Sequence, residues 1–414
     1  MHLRVLLGTV VLNVAFSGVL AVVAPKTAEA IPAFSRQTEK SCSTCHNAIP
    51  KLNQVGQNFR TNGFRFPEDK EWQDVQDLKH VPLSAKLEVA GELNKADGSA
   101  QTSLLKIEDF KVHAATPLGK TGKFSGYAIA TFVEKSVTVG QAYGQINDLI
   151  GEVGHGLLHL KVGTFDVALP FLSHSQRVIK QRYFAQSELG ILGARLKRST
   201  TNADEATEFY NTAVELNGQI VGQEAGDITH RYAVGLYQPQ DLNDANRLGF
   251  PSLYATYAMN FFENYTLGLI YKRDVVNSTL DPFTPADKKG VNKWGGVAGE
   301  AKLGPFITTV GYFRSDGLPN TAGVFPGSDT NRGLQNYMAE VLFIPSRLWV
   351  VGARFDHIDQ ELAQSSSRTT VMGRYNITPS VYRQAEWRVT DSGSLGVTPA
   401  PDSLNGRIYL VAPF

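Results

Sequence analysis

From about Val81 to Phe414 the chain alternates apolar and polar residues with a period of two, which leaves few folds open to it. Leu83, Ala85, Leu87 and Val89 interleave with Ser84, Lys86 and Glu88, and the polar set continues at Glu92 and Asn94. Trp349, Val351, Ala353 and Phe355 interleave with Gly352, Arg354 and Asp356, and Val371, Gly373, Tyr375 and Ile377 with Thr370, Arg374 and Asn376. Each such segment is a strand with one apolar and one polar face. A soluble sandwich alternates in the same way, so other features must decide. Trp349, Tyr375, Tyr382 and Trp387 stand near segment ends, like the aromatic girdles of a membrane barrel. The polar faces carry many charges and amides, which suits a wet lumen.

Connection lengths point the same way. Glu263-Asn264, Gly304-Pro305, Pro345-Ser346 and Pro379-Ser380 are short links, whereas about 277–291, 316–332, 359–366 and 392–405 are long. Outer-membrane barrels have short periplasmic turns and long external loops. A final strand over Arg407–Phe414 puts Ile408, Leu410, Ala412 and the terminal aromatic Phe414 in one lipid-facing row. Sixteen or seventeen segments qualify as strands. A bacterial barrel needs an even number, so one segment between about 186 and 262 is in surplus and sixteen is the expected count.

The first thirty residues differ from the rest. Arg4 precedes a mainly apolar run from Val5 to Ala24, followed by Ala28-Glu29-Ala30, a small-x-small cleavage site. This predicts a signal peptide over 1–30 and an exported protein beginning at Ile31; an uncleaved anchor is the competing reading. Beyond it no stretch of eighteen apolar residues occurs, so no transmembrane helix is expected. A net charge of +1 with 19% charged residues gives no basic bias towards nucleic acid.

The chain has 2 cysteines, in the run Cys42-Ser43-Thr44-Cys45-His46. In an exported protein an even count suggests a disulfide. Two intervening residues, however, place both thiols to form thioethers with the two vinyl groups of one haem c, and the adjacent His46 then reaches the iron as proximal ligand. A thioredoxin-type redox pair would want a βαβ setting that is missing around Cys42, and zinc would need more thiols.

The segment carrying the motif is small. Between Ile31 and about Pro67 the sequence predicts a helix through Thr38–Asn47, a break at Pro50 and a second helix across Lys51–Thr61. Leu52, Val55 and Phe59 make an apolar stripe, and Gly63 is a helix stop before Phe64 and Phe66. About forty residues cannot cover both faces of a haem and also form a core. The segment holds no methionine and no second histidine, so a sixth iron ligand must come from elsewhere or be water.

The order of leader, Pro32-Ala33-Phe34-Ser35-Arg36-Gln37, Cys42-Ser43-Thr44-Cys45-His46 and a porin-sized barrel resembles the fused monohaem cytochrome–porin family of outer-membrane proteins. Its best-known members are iron oxidases of Fe(II)-oxidising bacteria. The resemblance spans the mature chain in architecture, but its specific motif is confined to about Ile31–Phe66. It implies a signal peptide (1–30), a monohaem cytochrome c segment (31–80) and an outer-membrane barrel (81–414). It further implies that electrons pass from extracellular Fe(II) to a periplasmic c-type cytochrome or similar carrier. Ferric product is poorly soluble near neutral pH, so oxidation at the cell surface is sensible. A haem on a periplasmic stalk would not bridge an apolar band about 25 Å tall. The expected arrangement is therefore a helical cytochrome segment plugging the lumen, with Phe59, Phe64 and Phe66 packed on the haem or the lumen wall.

The resemblance marks no distal ligand. By strand parity His113 and His159 face inward, His80 precedes the first strand, and Met338 and Met372 also read as inward; a plain lumenal side chain is the ordinary role for each. His174 falls in an expected external loop over Phe171–Gln186, and Asp97 and Asp281 are loop acids able to attract Fe(II). Two other functions compete with the iron oxidase: a solute porin whose haem segment is a structural or regulatory plug, and a conduit carrying electrons outward.

Overall fold

The computed structural model describes residues 33–68, 81–96, 101–133, 136–183, 185, 211–222, 227–238, 252–277, 289–316, 333–360, 363–378, 380–392 and 403–413. The leader 1–30, Ile31, His80, Asp97, Asp281 and Phe414, and most of each long connection, lie outside them. Pro32–Phe414 forms one compact unit.

Three short helices and a two-stranded ribbon come first: α1 (Ala33–Thr38), α2 (Cys42–Cys45), β1 (His46–Ala48), β2 (Lys51–Leu52) and α3 (Gln54–Thr61). Sixteen strands follow: β3 (Leu83–Ala96), β4 (Thr102–Leu118), β5 (Phe124–Val133), β6 (Ser136–Ile150), β7 (Leu158–Phe165), β8 (Asn211–Ile220), β9 (Thr229–Gln238), β10 (Ser252–Phe261), β11 (Tyr265–Asn277), β12 (Lys289–Leu303), β13 (Phe306–Asp316), β14 (Leu334–Phe343), β15 (Trp349–Gln360), β16 (Ala363–Asn376), β17 (Tyr382–Ser392) and β18 (Ser403–Pro413). Each pairs antiparallel with its chain neighbours, and β18 pairs with β3 to close a barrel without edges. The even count expected from the sequence holds, with three strands between 186 and 262.

Alternation places the two faces as expected. On β15 Val351 and Phe355 are 49% and 47% exposed, whereas Arg354 and Asp356 are 2% and 1% exposed. The apolar face therefore points outward and the charged face into the lumen, the inverse of a soluble sheet. The stacked pairs Phe261–Tyr265 (5.4 Å) and Phe306–Phe343 (4.8 Å) and the tilted pair Trp349–Tyr375 (4.9 Å) lie at the short-turn end. Two expected girdle residues sit elsewhere. Tyr382 is buried on the lumenal side beneath the Arg374 guanidinium, 3.9 Å from its ring centroid, and Trp387 pairs with Val371 away from the strand ends.

The connection after β7 departs from the expected external loop. Its residues 166–183 turn back into the lumen through two 3-10 turns, Pro170–Leu172 and His174–Gln176. Leu169, Phe171, Leu172 and Tyr183 pack on Ile270, Trp294, Phe313 and Met338 of the opposite wall. The backbone N–H groups of Lys180 and Gln181 donate to the Glu386 carboxylate at 2.6 and 3.1 Å, and Arg354 donates to the Gln181 carbonyl at 2.6 Å. An apolar run of this kind is stable only against the apolar lumenal patch that β11–β15 present to it.

The helical segment also differs from expectation. The predicted helix through Thr38–Asn47 is interrupted at Glu39, whose φ is 57°, and ends at Cys45. Asn53 takes the carbonyls a longer helix would need, its side-chain amide donating to Thr44 O (2.9 Å) and its backbone N–H to Cys45 O (2.9 Å). Lys51 and Leu52 belong to the ribbon, so the second helix starts at Gln54, capped by the Asn53 side chain accepting from Gly56 N (3.0 Å). The Leu52–Val55–Phe59 stripe is not a buried face: Val55 is 43% exposed, while Gly56, Gln57 and Phe59 are buried. A helix inside a polar lumen gains burial from amide contacts as much as from apolar ones.

Candidate functional site

The segment 33–68 sits in the short-turn end of the barrel, and its anchors run around the wall. Arg36 donates to the Leu83 carbonyl at the start of β3 (2.6 Å). Lys51 forms a buried pair with Glu300 of β12 (2.6 Å), and Arg374 of β16 donates to the Ile49 carbonyl. Burial pushes the Lys51 pKa down, but the Glu300 and Glu340 carboxylates outweigh it and hold the ammonium above its ordinary range. Arg231 of β9 donates to the side chains of Gln57 (3.2 Å) and Asn58. Arg65 pairs with Asp148 of β6 (2.7 Å), both fully buried. The same carboxylate accepts from Gly154 N (3.2 Å) and Gly156 N (3.1 Å), folding the β6–β7 turn beneath the plug.

The inward loop meets the plug directly. Arg60 donates to Ser175 (3.2 Å), Ala48 packs with Val178 and Ile179, and Arg374 bridges the Ile49 and Val178 carbonyls. Beside α3 a cleft of about 100 Å³ remains, lined by Arg60, Tyr143, Lys161, Asp166, Glu215 and Arg231. That is the room of a few waters.

Gly63 is a close contact of plug and wall. Its φ is +66°, and a Cβ there would stand 2.4 Å from Asn147 Oδ1 and 2.5 Å from Ser125 Oγ, while its carbonyl accepts from Ser125 Oγ at 2.7 Å. Gly63→Ala is expected to cost about 1–2 kcal/mol in backbone strain alone and to loosen the plug. Limited proteolysis of the folded protein should then cut near 60–68 faster than in wild type.

Cys42 and Cys45 are half-buried free thiols on one helical turn. Burial raises the pKa of both, the reverse of the lowered pKa of a redox pair. Cys45 packs against the cluster of Phe34, Phe59, Phe64 and Phe66, which meets the wall at Ala115 and Tyr127. A Cβ on Gly56 would stand 2.3 Å from the Cys45 carbonyl, so only glycine lets α3 approach α2 this closely. The His46 ring lies with Nδ1 3.2 Å from the Pro50 carbonyl. Burial lowers its pKa to about 4, so the ring is neutral at pH 7. A neutral imidazole donating through Nδ1 has its lone pair on Nε2, the state required of a metal ligand. A covalently held haem would be attached through the Cys42 and Cys45 thiols, with His46 towards its iron and the aromatic cluster beside Cys45. Among the described residues no group of three or more His, Cys, Asp and Glu side chains is arranged to hold a bare metal ion.

The distal candidates separate. His159 faces inward as expected, but its Nδ1 accepts the Asp148 backbone N–H (3.0 Å). The neutral ring therefore carries its proton on Nε2, which has no lone pair left for iron. Met338 and Met372 also face inward, but they are buried under the inward loop. Of His174 only the backbone turn is described. His113 stands on the lumenal face beside Tyr127, Nδ1 3.5 Å from its hydroxyl, and Tyr127 in turn stacks on Phe64.

Periodicity puts Arg374 on a polar face, but no local pattern marks it, Lys51, Asp148 or Arg231 as an anchor. Arg65 alone gave a local sign, as a lone cation between Phe64 and Phe66.

No known protein-family model matches the sequence, and no curated protein sequence does. In fold the chain is similar to solved outer-membrane porins. Three examples are OmpF of Salmonella typhi (10% identity over 80% of this chain and 97% of that one, TM-score 0.55), the anion-selective porin of Comamonas acidovorans (8%, 80% and 98%, 0.54) and the outer-membrane channel DcaP of Acinetobacter baumannii (11%, 80% and 97%, 0.53). The class is thus a porin-type barrel of sixteen antiparallel strands. In this chain the N-terminal segment 33–68 sits in the short-turn end of the lumen.

Proposed function

We propose that this chain is an outer-membrane electron conduit, an Fe(II):cytochrome c oxidoreductase that carries one haem c in its lumen. Cys42 and Cys45 hold the haem and His46 ligates its iron. The observation that carries this reading is the His46 ring, oriented by Pro50 and neutral at Nε2, one residue beyond two thiols on a single turn. When bound, the haem supplies a one-electron couple. The chain's own residues do the rest: Phe59, Phe64 and Phe66 give an apolar bed, Arg65 and Lys51 lock the plug to the wall, and the inward loop narrows the path for bulk solute. Electrons enter from Fe(II) at the long-loop, outer side and leave at the short-turn side to a periplasmic c-type cytochrome or similar carrier. The outward apolar band and the closed barrel suit the outer membrane.

A porin whose plug only regulates solute flow is the second reading, favoured by the likeness to channel-forming barrels. Purified protein in liposomes, mixed with Fe(II) while the haem α-band is followed, separates the two. Reduction of the haem with low ion conductance is expected. Haem that stays oxidised in a freely conducting barrel would sink the iron-oxidase reading.

A further inference from the structure

The plug occupies only the short-turn end, so an electron from an outer donor must still cross the remaining depth of the barrel. An aromatic file lies along that depth. Phe64 stacks on Tyr127 (centroids 5.7 Å apart), Tyr127 meets Tyr143 (5.3 Å), and Tyr143 meets Phe165 edge-on (5.7 Å). Phe165 then shares one buried cluster with Tyr237 and Tyr254, themselves 5.7 Å apart. Each of these centroid separations falls within ordinary aromatic contact. At the plug end the file begins at the cluster on which Cys45 packs.

The register explains why the file climbs. Tyr127 pairs with Tyr143, Tyr143 with Gly163, Gly163 with Ala213, Ala213 with Tyr237 and Tyr237 with Ser252. This row runs perpendicular to the strands, and the strands of such barrels tilt by about 35–45°. A perpendicular row therefore rises as it circles the wall. It starts near the short-turn end of β5 and reaches the long-loop ends of β9 and β10. Gly235 makes room for the last ring: a Cβ there would stand 2.6 Å from Tyr254 Cε1.

Resting on the reading of the plug as a haem carrier, we infer that this file is the route by which the outer face is electronically coupled to the haem. One electron leaves an outer Fe(II), which becomes Fe(III), and reduces haem Fe(III) to Fe(II). No bond forms or breaks and no proton moves. The rings act as a bridging medium and are not themselves oxidised. Lys161 stands 4.0 Å over the Phe165 ring and Lys272 5.0 Å over the Tyr237 ring. A cation on a ring face stabilises its electrons and opposes their removal.

The test uses the full-length haem protein inserted in one orientation in liposomes, as wild type, Tyr237→Leu, Tyr254→Leu, Tyr237→Phe and Tyr254→Phe. Haem reduction is followed with Fe(II) supplied on the long-loop side and, separately, ascorbate on the short-turn side. Each leucine is expected to slow reduction from the long-loop side by an order of magnitude or more. Each phenylalanine, which keeps the ring, should leave it unchanged. The haem spectrum and the rate from the short-turn side should be the same in all five proteins. Leucine variants reduced from outside at the wild-type rate, or slowed equally from both sides, overturn the route while leaving the haem function standing. A wild-type protein without a haem spectrum overturns both, and shows it before any rate is measured.

Discussion

Asp148→Ala is expected to release the plug and open the lumen. The substitution leaves the Arg65 guanidinium buried without its counter-charge and strips two turn amides, Gly154 N and Gly156 N, of their acceptor. Removing one partner of a buried pair costs about 3–5 kcal/mol, because the remaining charge cannot recover its hydration. The loss falls on docking more than on the barrel, whose strand ladders and β18–β3 closure do not involve the pair. Single-channel recording in a planar bilayer should show wild type with small, rare openings and Asp148→Ala with large, steady conductance. The double variant Arg65→Met/Asp148→Leu removes both charges and should recover much of the closed behaviour. If Asp148→Ala conducts like wild type, the plug is held by its other anchors and the pair is dispensable.

The barrel was legible wherever the lumen is polar. On β15 the charged Arg354 and Asp356 alternate with Val351 and Phe355, and both faces fall where the period puts them. Legibility fails where the lumen is apolar. Trp294, Phe313, Leu334 and Met338 all point inward, and they make sense only once residues 166–183 lie on them. The sign was there in the loop itself, since Leu169, Phe171, Leu172, Val178 and Ile179 are a poor fit to an external connection in water.

For the plug, the chemistry was local and the docking was not. The C-x-x-C-H run is contiguous, and the haem proposed for it would impose that spacing through its vinyl groups and iron. The anchors answer no local rule: Arg374 reaches Ile49 across 325 positions, and Lys51 meets Glu300 on a far strand. Such pairs are written in tertiary structure alone. Helix limits failed for a related reason, since Asn53 and Pro50 reshape the chain after Cys45 through bonds that periodicity does not register. The aromatic file belongs to the same class. Its rings sit on five strands, and their spacing appears only when the register is known.

Cys42→Ser/Cys45→Ser is expected to abolish covalent haem while leaving a folded, plugged barrel. Haem joined by thioethers stays with the chain through denaturing electrophoresis, so the wild-type band should show haem peroxidase activity and the variant band none. The anchors at Arg65, Lys51 and Ile49 involve neither thiol, so the variant should keep wild-type resistance to proteolysis and its low conductance. His46→Ala poses a different question. It keeps both thiols but removes the ring that Pro50 orients, so any haem it retains should show the shifted Soret and visible bands of an iron that has lost its proximal imidazole. A redox-active thiol pair predicts the opposite pattern. Wild type would then have no haem absorption, its thiols would titrate with a lowered pKa, and His46→Ala would leave the visible spectrum as empty as before. The raised thiols and the neutral, Pro50-directed imidazole make that pattern the poorer fit, and a single absorption spectrum of the purified wild-type protein decides between them.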